Sequence, residues 1–130
     1  MLLCDQVIRE AGSGKPSLIG VFENVIAPEA PTANHPHVHL MMTLYAKISG
    51  AEGKYKWRFE VVRDRENTVI AGADIDEIQH PNRLGTHDLV VNMGLMQFSE
   101  LGRYSIRLFA NDRFVGDIVF DVVIFKQQGS

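Results

Sequence analysis

A chain of 130 residues suits one domain, because a second hydrophobic core would need more length than this. Its 13 basic and 16 acidic side chains leave a formal charge of −3 and alternate along the sequence, so no broad positive field exists for a nucleic-acid backbone or an anionic membrane surface. Cys4 is the only cysteine, which excludes an internal disulfide, and the apolar opening "MLLCDQV" meets Asp5 before a signal-peptide core or a membrane span is complete; a cytoplasmic protein is expected.

Apolar residues recur with period two, and turn residues interrupt them about every ten positions. The pattern predicts an all-β fold, a single-domain antiparallel β-sandwich of eight strands at residues 2–9, 17–26, 37–48, 55–63, 68–78, 87–97, 103–110 and 114–125. The domain is expected to span residues 1–128, with Gly129-Ser130 set apart as an expression remnant. In the first strand Cys4 has apolar neighbours and no basic partner nearby, which suits a buried core thiol better than a nucleophile. The joint after it, "GSGKPS", is a poor phosphate cradle: Arg9 stands where the first glycine belongs, and Pro16 occupies the magnesium-binding hydroxyl position. A hairpin connection is predicted there, with Lys15 exposed.

The third expected strand, "HVHLMMTLYAKI", sorts Val38, Leu40, Met42, Leu44, Ala46 and Ile48 onto one face and His37, His39, Met41, Thr43, Tyr45 and Lys47 onto the other. The first face is expected to be core and the second solvated. In "YKWRFEVV" the row Tyr55, Trp57, Phe59 and Val61 alternates with charged residues and is expected in the core; an exposed Trp57 would instead point to carbohydrate binding. The acidic group Asp74, Asp76 and Glu77 lacks the glycine-spaced loop of a calcium site and reads as a solvated face. For the last hairpin, a three-residue loop from Asn111 to Arg113, or an equivalent bulge, is predicted, because it sets Ile106 opposite Ile118 and Arg107 opposite Asp117.

Several of these segments together resemble an uncharacterised family of small bacterial all-β domains of unknown function. The likeness rests on Cys4-Asp5, Gly14-Lys15, the run Ser17-Leu18-Ile19-Gly20-Val21-Phe22, the Pro-rich, His-bearing approach to residue 37, and the late hairpin "LGRYSIRLFANDRFVG". It covers nearly the whole chain. The resemblance implies a β-sandwich with a non-enzymatic or unassigned role, and it supplies no catalytic residues and no cofactor.

One enzyme reading competes, a cupin-like metal-dependent enzyme. His37 and His39 form an H-x-H pair, and Pro81, Gly85, His87 and Asn92 follow in the order of a second cupin motif. The acidic ligand is missing between Met41 and Ala46, and the second motif is misspaced, so its side chains would alternate to the wrong sheet face. A three-histidine site of His37, His39 and His87 remains the alternative. The favoured expectation has no metal, no cofactor and no catalytic residues: His35 and His80, each before a proline, in loops, and His37 and His39 on the face away from the core.

The final segment, "FVGDIVFDVVIF", is apolar on both faces. Phe114, Ile118, Phe120, Val122 and Ile124 are expected on one, and Val115, Val119, Val123 and Phe125 on the other. A strand apolar on both sides needs both covered, by a loop such as residues 27–36 or by another subunit. The expectation is therefore a non-enzymatic binding or assembly module whose partner is a protein, foremost a second copy of itself, with Val115, Val119, Val123 and Phe125 as interface candidates.

Overall fold

The computed structural model describes residues 1–50, 53–80 and 86–125, with the side chains of Asp76 and Thr86 also left aside. Among the described residues ten strands run in chain order: β1 (Leu2–Cys4), β2 (Gln6–Arg9), β3 (Pro16–Ile19), β4 (Asn24–Ala27), β5 (His37–Ser49), β6 (Gly53–Arg63), β7 (Thr68–His80), β8 (Thr86–Phe98), β9 (Gly102–Ala110) and β10 (Arg113–Ile124). They form a three-stranded sheet β1-β5-β8, a five-stranded sheet β4-β10-β9-β6-β7 and a two-stranded ribbon β2-β3. The all-β expectation holds, and Gly129-Ser130 lies outside the described residues. Among the described residues no helix is long and apolar enough to cross a membrane.

The count exceeds eight because two expected strands break where the chain changes sheets. Asp5 divides residues 2–9: its N–H turns to the carbonyls of Ile19 and Gly20, at 2.9 and 3.2 Å, so the chain leaves β1 and enters the ribbon. Gly20, at φ +69°, permits this corner, since a Cβ there would run into the Asp5 carboxylate. Beyond Phe22 the chain crosses to the larger sheet, where β4 lies parallel to β10, with Val25 opposite Val122 and Ile26 opposite Val123. Every other pairing between strands is antiparallel.

The core fills the space between the two larger sheets. Leu3, Met42, Leu44, Ala46, Leu89, Val91, Met96 and Phe98 face Val25, Trp57, Phe59, Val61, Tyr104, Ile106, Leu108, Phe120 and Val122. The Tyr55–Val61 row is thus core, as its alternation predicts, and the burial of Trp57 removes the carbohydrate-platform reading. The ribbon adds a partial third layer. It connects through Gly12 and Gly14, both at positive φ, with Lys15 exposed, and β2 packs on β5. Beneath it Thr43 and Tyr45 are buried on the outer face of β5, and Arg9 reaches Asp88 (3.2 Å), which accepts the Tyr45 hydroxyl (2.7 Å).

Two corrections arise from bulges. In β5 the register runs His39↔Met96 and then Met42↔Gly94, so the strand gains one residue on its partner and its alternation inverts. Val38 and Leu40, expected in the core, are exposed, Leu40 to 74%. His37 and His39, expected on the opposite face, stand across from the core residues Phe98 and Met96 and are half-buried. In the β9–β10 hairpin the turn holds two residues, Asn111 and Asp112, at φ 50° and 65°, which suits a tight hairpin with both central residues left-handed. Ala110 pairs with Arg113, and a bulge at Val115 then restores Ile106 opposite Ile118 and Arg107 opposite Asp117. The predicted pairings hold through the bulge, not through a longer loop.

The turn from β8 to β9 is fastened by a tyrosine. The Tyr104 hydroxyl donates to the carbonyl of Glu100 at 2.7 Å, while its ring stacks on Phe120 and meets the edge of Phe98. Replacing Tyr104 with Phe keeps the ring and leaves that carbonyl unpaired, so the variant is expected to lose about 1–3 kcal/mol in urea denaturation. An unchanged midpoint would show that the hydroxyl contributes nothing.

Candidate functional site

The three histidines of the cupin-like alternative are not brought together. His37 and His39 lie at the start of β5, and His87 pairs with Ile48 at its far end, nine positions from His39, a separation of about 30 Å. That overturns a shared His37–His39–His87 site, and Pro81 and Gly85 of its second motif lie outside the described residues. Among the described residues no group of three His, Cys, Asp or Glu side chains is placed to hold a metal ion.

Each group of histidines has other neighbours. His39 sits 3.5 Å from an Asp5 carboxylate oxygen, with its ring 4.9 Å from Phe22. Cys4 Sγ lies 3.8 Å from the Thr43 carbonyl, and the Thr43 hydroxyl donates to the Asp5 carbonyl (3.1 Å), so Cys4, Asp5, Gly20, Phe22 and His39 together build the corner where the N-terminal strand docks. Burial, then the Asp5 charge, pushes the Cys4 thiol up, which leaves it a poor nucleophile. At His37, burial and then the nearby His39 pull the imidazole below its ordinary value.

His80 departs from expectation. It ends β7 as a buried residue instead of lying in a loop, and its Nε2 accepts the Trp57 indole N–H at 3.2 Å. Neutral His80 therefore carries its proton on Nδ1. The His87 ring approaches edge-on at 4.9 Å, and His80 Nδ1 and His87 Nε2 are both buried with no hydrogen-bond partner among the described residues. Burial, then His87, lowers the basicity of His80. This pair locks one end of β7 to β8 and to the core tryptophan.

The outer face of the five-stranded sheet holds the interface candidates. Val119 is 45% exposed, Val123 37% and Phe125 62%. Ile26, beside Val123 on β4, extends the strip, a contribution that sequence reasoning missed because the parallel β4–β10 pairing is not legible locally. Val115, 51% exposed, is the bulged residue, and Phe114 turns outward beside Phe109 (ring centroids 6.0 Å), not inward as the uninterrupted alternation implied. Interleaved with the apolar side chains are two charged columns, Arg103 and Arg107 on β9 and Asp117 and Asp121 on β10. Arg103 Nε reaches Asp121 at 3.0 Å, and Arg107 donates to Asn67 at 2.8 Å. Asp74 and Glu77 are exposed, as expected of a solvated face, while the Asp76 side chain lies outside the described residues.

No curated protein and no solved structure matches the chain. A family model described as a family of unknown function, DUF6941, matches residues 1–123, which takes in the N-terminal corner, both larger sheets and nearly all of the outward strip of β10. The expected kinship with an uncharacterised domain family is borne out, and the chain belongs to the DUF6941 family.

Proposed function

We propose that this domain is a non-enzymatic assembly module that binds a protein, and that the protein is a second copy of itself held on the outer face of the five-stranded sheet. The observation that carries the reading is the strip of Ile26, Val119, Val123 and Phe125, which is apolar, exposed in the single chain and next to a β10 inner face already filled with core. Clustered apolar side chains of this kind mark interaction surfaces, whereas isolated ones are ordinary. The core side of β10 needs no further cover, so association serves only the outer side.

The reading is tested by Val119→Lys, which places a charge in the middle of the strip. Size-exclusion chromatography with light scattering is expected to show the wild type as a dimer and the variant as a monomer, with association weakened about a hundredfold or more. Leu40→Lys, a lysine at an exposed apolar position on the other sheet, should leave the dimer intact. Equal masses for Val119→Lys and wild type would overturn the reading.

A further inference from the structure

Resting on that self-association, we infer that two copies stack face to face about a twofold axis that runs parallel to the strands, midway between β9 and β10. The argument is charge complementarity. Four rungs cross the outer face in register: Arg103 with Asp121, Ser105 with Val119, Arg107 with Asp117, and Phe109 with Phe114. All the positive charge in these rungs lies on β9 and all the negative charge on β10.

A twofold axis along the strands turns each rung over onto itself. Arg103 then faces Asp121 of the second copy, Arg107 faces Asp117 and Phe109 faces Phe114, while Val119 lies over the level of Ser105, which is already buried within its own chain beside Asp64. A twofold axis across the strands does the opposite. It lays β9 on β9 and β10 on β10, so that Arg103 meets Arg107 and Asp117 meets Asp121. Like charges brought together in this way are strongly disfavoured, so the columns select the first arrangement and reject the second. Sheets that pack face to face with strands nearly aligned are a common solution, about 10 Å apart, within reach of Arg103, which is 62% exposed at its side chain. The same pattern names the occupant: the face is complementary to its own copy under one closed symmetry, as an isologous dimer requires.

The test exchanges the columns. A variant carrying Arg103→Asp, Arg107→Asp, Asp117→Arg and Asp121→Arg preserves both charged pairs between β9 and β10 while reversing the face, and gives up the contacts of Arg107 with Glu60 on β6 and with Asn67. It is expected to dimerise with itself about as tightly as wild type. Mixed with wild type and measured by native mass spectrometry after exchange, it should form heterodimers well below the statistical share, because β9 of one copy would then face like charge on β10 of the other. The smaller exchange of Arg103→Asp with Asp121→Arg should bias the mixture in the same direction, and intrinsic Trp57 fluorescence verifies folding of both. Heterodimers at or above the statistical share would overturn the axis while leaving self-association standing. So would a folded exchanged variant that stays monomeric beside a dimeric wild type. A monomeric wild type would overturn the axis and the self-association together.

Discussion

Replacing Trp57 with alanine is expected to cost about 3–5 kcal/mol, a large part of the roughly 5–15 kcal/mol that holds a domain of this kind together. The side chain is among the largest fully buried ones, and it contacts Tyr55 and His80 at one end of the core. Alanine there opens a cavity between the two larger sheets and also strips the buried His80 Nε2 of its donor. Trp57→Phe helps to separate the two effects, since it removes the N–H but keeps much of the apolar bulk that alanine gives up. Urea denaturation followed by circular dichroism should rank the variants wild type, Trp57→Phe, Trp57→Ala in falling stability. A Trp57→Ala midpoint near that of wild type would contradict the placement of this ring.

The second expectation concerns acid. His80 is buried, and its imidazole is less basic in the folded chain than in the unfolded one, first through burial and second through the neighbouring His87. The unfolded chain therefore binds the proton first. Stability from this site is complete above the unfolded value of about 6.5 and falls as pH drops below it, until the folded imidazole itself is protonated. The slope approaches about 1.4 kcal/mol per pH unit for one such site, and His37, shifted the same way, adds to it. Among the described residues the aromatic groups facing His80 are the Tyr55 ring, the Trp57 indole and His87, and none of these three offers a carboxylate that would favour the imidazolium. Urea midpoints at pH 7.5 and 5.5 should differ in that direction, and His87→Gln should reduce the difference. Trp57 is the only tryptophan, so its fluorescence reports directly on the bond to His80. Equal midpoints at the two pH values would refute this account of the pair.

Much of the architecture is legible locally. Alternation places Trp57, Phe59 and Val61 inside, turn residues separate the strands, and charge matching finds Arg107 opposite Asp117 without knowledge of the turn. What the sequence conceals is the effect of single inserted residues. One bulge in β5 exchanges the faces of residues 37–40, which is why Val38 and Leu40 emerge and His37 and His39 turn inward. A local signal does exist: Leu40, Met41 and Met42 are consecutive apolar residues in an otherwise alternating strand, and Gly94, at φ +64°, marks the same level of β8. The burial of His80 has no comparable signal, because its partner Trp57 lies 23 residues earlier and only the β6–β7 pairing brings them together. Ile26 escaped notice for a similar reason, its neighbour Val123 lying almost a chain length away.

The central claim is that the outer strip of β10 and β4 is covered by another copy of the chain. Sedimentation velocity of the wild type over a concentration series tests it most directly. The account predicts a reversible species of twice the 14.6 kDa chain mass at micromolar concentration, dissociating on dilution. A single species of 14.6 kDa at every concentration up to the highest attainable would contradict it.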